Sequence, residues 1–391
     1  MKKIYLDIAG KKHSLYNELI NYPPYGYEFV TKNETWEKTS KFISEIDFLY
    51  SFQKNVLAKI IPVNLAKAYF DKFKKLPKDI NLTYSSGHLI FRKEPWVVDL
   101  EFVTHLAGYN YGHLKRYQRI IEKVLRSENC KKIMPWTDAG KKTIFLTIKD
   151  KKILNKVETV HLAMHKKNFD KQFNKDKIKL LFVASINIPK DFDIKGGKEV
   201  LESFLRLNNR YDNLELVIRS YVPKHIKEKF KQIKNIQIID EIIQWEELEK
   251  EFKSADIFLF PSHNTPGMVI LEAMSYELPV ITTDVWANPE MVSDGKTGFL
   301  IKKSKKINYY INNFIPNWSE QKTLEIIKNA TDSAVVNELV EKTGILIENE
   351  RIRRRMGFQG RQEIEIGKFS IDFRNNKLKE IFDEALESDL S

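Results

Sequence analysis

In PSHNTPGMVILEAMSYELPVITT, residues 261–283, one acid stands inside an apolar run: Glu272, in MVILEAM. The run follows Pro266 and Gly267, and an apolar segment after a Pro-Gly loop predicts a helix that begins near Gly267. Such a helix aims its free N–H groups and positive dipole end at the loop, and Gly267 beside Pro266 lets a phosphate approach the backbone closely. Glu272, in the first turns, can accept two hydrogen bonds from a sugar diol, and a nucleotide ribose supplies such a diol. The chemistry expected is recognition of a nucleoside diphosphate, with Pro266, Gly267, Met268 and Val269 at the phosphates and Glu272 at the ribose. The other reading of Glu272 is a helix-start acid or one salt-bridged to a neighbour.

A loop of this kind must be held at the carboxyl end of a strand, and the C-terminal half supplies one. KIKLLFVAS (177–185), LELVIRS (214–220), IQIID (236–240), DIFLFPS (256–262) and LPVITT (278–283) read as strands. GGKEVLESFLRLNNRY, KHIKEKFKQI and WEELEKEFKSA read as the helices between them. This alternation predicts a doubly wound parallel sheet, in which ligands bind beyond the strand ends, where PSHNTPG lies. The N-terminal half is less regular; its expected strands are KIYLDIA (3–9), YEFVT (27–31), FLYSF (48–52), INLTYSS (80–86), PWVVDLE (95–101) and KKIMPW (131–136). Residues 165–176, polar and without apolar periodicity, read as a linker.

PSHNTPGMVILEAMSYELPVITTDVWANPEMVSDGKTGFLI resembles the nucleotide-sugar signature of glycosyltransferase family 4, whose fold is GT-B. The likeness extends through KIKLLFVAS, IKGG, WEELEKEFKSADIFLFPS and ILIENERIRRRMGFQGRQEIEIGKFS, roughly residues 177–391, with an insertion near 303–340. It implies two Rossmann-like domains facing across a cleft. Residues 1–164 would bind the acceptor, 165–176 would link, 177–368 would bind the donor, and 369–391 would pack back on the first domain.

In the family the signature helix carries a Glu, seven residues and a second Glu. The second matches Glu272, which by resemblance holds the donor ribose; the first falls on Asn264, whose amide can hydrogen-bond a sugar but offers no charge to a developing oxocarbenium ion. The family also holds the diphosphate with an Arg and a Lys after the first strand of this domain. IKGG supplies Lys195, followed by Gly196, whereas the Arg position falls near Ser185, and Lys190 or Arg219 is the expected replacement. The loop INIPKDFDI between them is longer than the family's. In the first domain a family His follows a strand beginning with Pro and valines; in PWVVDLEF its place is taken by Glu101, with Asp99 and His105 near.

The resemblance thus implies sugar transfer from a nucleoside-diphosphate sugar to a hydroxyl of a glycan, lipid or polysaccharide, with retention of anomeric configuration and with no metal or cofactor. Glu101, Asn264 and Lys195 would be catalytic. Asn264 and the absent Arg leave a second reading open, a catalytically degenerate GT-B-like subunit that binds nucleotide.

The remaining signals are weaker. The net charge of +12 attracts polyanions, but the basic residues are dispersed and no nucleic-acid motif accompanies them, so nucleic acid is not expected as a partner. AKAYFDKFKKLPK (66–78) and HLKRYQRIIEKVLR (113–126) mix apolar and basic residues, as helices lying on anionic lipid do. No apolar run approaches the ~20 residues of a membrane span, and MKKIYLDIAG is broken by Asp7, so a cytoplasmic protein is expected, with peripheral contact at the inner face of the membrane. Cys130, the single cysteine, is read as a small residue at a helix end. DFD (191–193) and HLAMH (161–165) lack the companions of a metal site, and the loops AGKKH (9–13) and YSSGHLI (84–90) read as turns.

Overall fold

The structure, a computed structural model, describes residues 1–8, 14–31, 65, 68–69, 76–77, 79–173, 176–312, 314–317 and 321–387. The expected strand FLYSF, the loop AGKKH and nearly all of AKAYFDKFKKLPK lie outside them. Two units form: Met1–Leu162 together with Asp372–Ser391, and Ala163–Ile371.

In the first unit β1 (Lys2–Asp7), β2 (Tyr27–Val30), β3 (Ile80–Ser86), β4 (Trp96–Leu100) and β5 (Cys130–Pro135) pair in the order β2-β1-β3-β4-β5. All neighbours are parallel. β4 is buried at every position, as a strand covered on both faces must be. The described helices here include α1 (Ser14–Asn21), α2 (Tyr111–Arg126), α3 (Asp138–Thr147) and α4 (Lys151–Leu154). α2 starts where Asn110 accepts a bond from the His113 N–H, and it buries Leu114, Ile121 and Leu125, spaced for one face, against the core around Trp96 and Val98. Cys130 is not at a helix end; it opens β5, where burial pushes its thiol up to about 12, because the helix before it stops four residues earlier.

In the second unit β6 (Ile178–Val183) leads through α5 (Asp191–Ile194) and α6 (Gly197–Asn208) to β7 (Leu214–Arg219). α7 (Lys224–Phe230), β8 (Ile236–Ile239), α8 (Trp245–Ser254), β9 (Ile257–Phe260), α9 (Met268–Ser275), β10 (Val280–Thr283), α10 (Asn288–Met291) and β11 (Gly298–Ile301) continue the alternation. The sheet runs β11-β10-β9-β6-β7-β8, all parallel. Read from β8, this is the doubly wound order 3-2-1-4-5-6, so the order reverses between β6 and β9, and ligands of such sheets lie beyond that switch point. In the first sheet the switch falls between β1 and β3.

A two-stranded ribbon, β12 (Tyr310–Ile311) with β13 (Ile315–Pro316), and α11 (Gln321–Asn329) occupy the expected insertion. α12 (Ser333–Glu348) and α13 (Glu350–Glu365) complete this unit. α14 (Ile371–Glu387) belongs almost wholly to the first unit. Its Phe382 is fully buried against Tyr27, Phe29 and Tyr84, with ring centroids 5.2, 6.2 and 6.3 Å away. Arg374, also buried, donates to the carbonyls of Glu18 and Tyr22, the open C-terminal end of α1.

Candidate active site

At the switch point of the second sheet, the loops after β6 and β9 are stitched together. The His263 N–H donates to the Ile194 carbonyl at 2.8 Å. Gly196 (φ +86°) lies so near Pro261 that a Cβ would stand 2.5 Å from its carbonyl oxygen, so only glycine fits here. Lys195 is fixed by this junction. Its Nζ donates to Asn264 Oδ1 at 2.6 Å and to the Thr265 carbonyl at 2.9 Å, and lies 5.3 Å from the Phe260 ring centroid. The structure therefore brings Lys195 and Asn264 into direct contact. Ser262 Oγ donates to the same Asn264 oxygen at 3.0 Å, so the amide carbonyl is held by two donors.

An amide at this position satisfies the ammonium without neutralising it, and the positive charge of Lys195 is retained. α9 begins beside it, with Gly267 as its cap. The φ of −103° at Gly267 suits any residue, and a Cβ there would meet nothing nearer than 3.5 Å, so neither folding nor packing requires a glycine. What its bareness leaves is an uncovered helix start, next to Pro266, Met268 and Val269.

Arg219 ends β7, and its Nη1 donates to the Ala184 carbonyl at 3.2 Å, just before Ser185. Its Nε is buried without a hydrogen bond, no carboxylate of the described residues pairs with it, and burial lowers its pKa. Ser185 uses its carbonyl to accept from the Tyr221 N–H at 3.3 Å. Lys190, in the exposed part of the long loop, directly precedes α5 and makes no side-chain capping bond to it.

Glu272 is the fifth residue of α9, and it is paired. Lys167 Nζ lies 3.1 Å from its Oε1, both side chains being largely buried. Lys167 comes from the stretch expected to be a linker, which carries no helix or strand over residues 165–173. It is held between the rings of Trp245 and Tyr276, 5.4 Å from each centroid, and lies 3.2 Å from His165 Nε2. The salt-bridge reading of Glu272 is thus realised, with a partner that sequence spacing gave no means to choose.

Beneath Asn264 is a buried chain that the sequence did not disclose. His263 Nε2 lies 3.2 Å from Glu199 Oε1, and its Nδ1 lies 3.1 Å from the Tyr309 hydroxyl. All three are at most 3% exposed, and Tyr309 ties the insertion to this loop.

In the first unit, polar groups gather at the carboxyl ends of β1, β3 and β4. Asp99 accepts from Tyr84 at 3.1 Å and Tyr16 at 3.4 Å, and Tyr16 also bonds Ser86. Burial raises the Asp99 carboxyl to about 7, against the opposing hydrogen bonds from Tyr84 and Tyr16. Asp7 lies 3.5 Å from His88 and 3.6 Å from Arg92, all three buried. Glu101 follows β4 directly; its N–H donates to His105 Nδ1 at 3.4 Å, and its side chain bonds Tyr109. His105 stacks on Tyr109 at 4.5 Å, and burial, with His88 nearby, holds its imidazole down to about 3, neutral at physiological pH. Glu101, Asp99 and His105 are therefore neighbours, as expected, but Asp7, His88, Arg92, Tyr16 and Tyr84 were not foreseen. HLAMH is irregular, and Asp191 and Asp193 form the single turn α5. Among the described residues no group of His, Cys, Asp and Glu is arranged to hold a metal ion.

Residues 177–315 match the family model described as glycosyl transferases group 1. The whole chain resembles Anabaena Alr3699/HepE, crystallised with UDP and glucose: TM-score 0.59, 11% identity, 98% of this chain and 99% of that one covered. The fold is GT-B. Within this GT-B chain, 185 residues are 26% identical to an uncharacterized 41.2 kDa protein in the cps region of Klebsiella pneumoniae, covering 43% of the chain and 48% of that protein. A further match, 28% over 136 residues, is to the capsular polysaccharide biosynthesis glycosyltransferase CapM of Staphylococcus aureus, covering 34% of the chain and 28% of CapM. The chain thus spans about half or less of the length of these curated relatives.

Proposed function

We propose that the protein is a glycosyltransferase that moves a sugar from a nucleoside-diphosphate sugar to a hydroxyl of a glycan or lipid-linked acceptor, with retention of configuration and without a metal ion. The observation that carries this reading is the Lys195–Asn264 contact at the sheet's switch point, beside the uncovered start of α9. In this reading the diphosphate leaves against the charge of Lys195 and the α9 N–H groups, with Arg219 as a second cation. Glu272 receives the ribose, and Lys167 holds it in place. The acceptor oxygen attacks from the leaving-group face, and the departing phosphate takes its proton, so no side-chain base is needed. In the first unit Glu101, which directly follows β4, is the catalytic candidate. The match to a group 1 domain and the likeness to a UDP-bound GT-B enzyme support a nucleotide-sugar donor.

Calorimetric titration with UDP, GDP and ADP tests the reading without knowledge of the acceptor. One nucleotide is expected to bind, and Lys195→Ala and Glu272→Ala are each expected to weaken it by about 1–3 kcal/mol. Binding unchanged in both variants would remove the site. Binding without transfer to any acceptor, or without release of sugar to water, would favour the degenerate subunit to which Asn264 points. Transfer undiminished by a chelator is the outcome expected of a metal-independent enzyme.

A further inference from the structure

A cavity of about 680 Å³ opens on the second unit, and its lining contains none of Lys195, Asn264, Gly267 or Glu272. Two of its walls are the stretches that depart from the family pattern. The long loop after β6 contributes Pro189, Lys190 and Asp193, and α11 of the insertion contributes Gln321, Leu324, Glu325 and Lys328. The start of α7 closes the third side with Tyr221, Pro223 and Ile226.

The walls are tied to one another. Lys198, on α6, donates to the carbonyls of Ile327 and Lys328 at 2.6 Å each, and so caps the C-terminal end of α11 with a cation. The same ammonium lies 3.5 Å from Asp193, whose charge it offsets. Thr323 and Ile327 are buried, which fixes the face that α11 turns inward.

The lining has a definite chemistry. Flat or apolar surfaces (Tyr221, Pro223, Leu324) stand beside the amides of Gln321 and Asn329. A sugar ring offers the complement, with CH faces for apolar and aromatic surface and vicinal hydroxyls for planar amides. The lining carries Lys190, Lys198 and Lys328 against Asp193 and Glu325, with His225 beside them, and no salt bridge joins Lys190 or Lys328 to a carboxylate among the described residues. That excess favours an anion.

We propose that this cavity binds an anionic saccharide, with its ring against Tyr221 and Leu324 and its carboxylate or phosphate held by Lys190 and Lys328. The choice of a saccharide rests on the glycosyltransferase reading; the cavity and its charge do not.

The test is calorimetry of the full chain with three probes: a glucuronate-containing tetrasaccharide, glucose 1-phosphate and neutral cellotetraose, each with and without the nucleotide that binds. At least one anionic probe is expected to bind, with the neutral one about tenfold weaker or more. Which anionic probe binds separates a uronate from a sugar phosphate. Lys328→Glu, at an exposed position, is expected to weaken the anionic probe by about tenfold or more with an unchanged melting temperature and unchanged nucleotide affinity. Leu324→Trp fills the cavity and is expected to abolish binding; should it fail to fold, Lys328→Glu carries the test. Nucleotide binding with no saccharide binding, or equal affinity for neutral and anionic probes, would overturn this inference alone. Saccharide binding that Lys328→Glu weakens, in a protein that binds no nucleotide, would support the cavity and overturn the donor site.

Discussion

Lys195 meets an amide where a carboxylate would cancel its charge. Placing that carboxylate back, as Asn264→Asp, puts a negative group at the 2.6 Å contact and is expected to lower nucleotide affinity by roughly 1–3 kcal/mol, read by calorimetry. Unchanged affinity would mean that Lys195 does not face the diphosphate. Glu272 could be singled out from the strand, small-residue loop and apolar helix around it, whereas Asn264 and Lys195 were singled out by the family resemblance. Lys167 was not, since its pairing with Glu272 joins residues 105 positions apart and no local period announces it. Glu199, His263 and Tyr309 were hidden for the same reason. Each looks like an ordinary helix, loop or insertion residue until the fold buries all three together.

Among elements, β6 to β10 of the second sheet were readable because each is a short apolar run followed by a helix, and the observed boundaries differ by only a residue or two; β11, which leads into the ribbon instead of a helix, was not foreseen. The first sheet was harder. Its strands alternate with irregular stretches, and the polar ends of β1, β3 and β4 carry signals that become meaningful only side by side. Those ends make a prediction. Asp99 has its pKa raised to about 7, so the folded state holds a proton that the unfolded state, near 4, has already lost; its contribution therefore falls as pH rises from about 4 to 7. His105, held near 3 when folded and near 6.5 when unfolded, contributes stability that rises between those values and so opposes Asp99 over most of this window. Asp99→Asn is expected to unmask a melting temperature that climbs more steeply with pH between 4 and 6.5 than the parent's. A parallel profile would place the titration elsewhere. α14 gives a second prediction: Phe382→Ala, at a fully buried position against three aromatic rings, is expected to destabilise the first unit by about 3–5 kcal/mol in denaturant melts, with the second unit unaffected.

For the molecule as a whole, no helix among the described residues is long and apolar enough to cross a membrane, yet the net charge is +12. α2 turns Lys115, Arg116, Arg119 and Lys123 outward, with Ile120 46% exposed beside them, and we propose it as the surface that rests on anionic lipid. Flotation with vesicles rich in anionic lipid is expected to carry the protein at low salt and to lose it as salt rises; absence from the vesicle fraction at low salt would refute this. The division into units has a different consequence, one of timing. Tyr27 and its partner Asp383 are 356 residues apart, whereas the second unit is built from one unbroken stretch. During synthesis the second unit has all of its strands and helices before α14 exists, while the first-made sheet still lacks the cover for Tyr27, Phe29 and Tyr84. A segment translated after the whole second unit completes the domain begun before it.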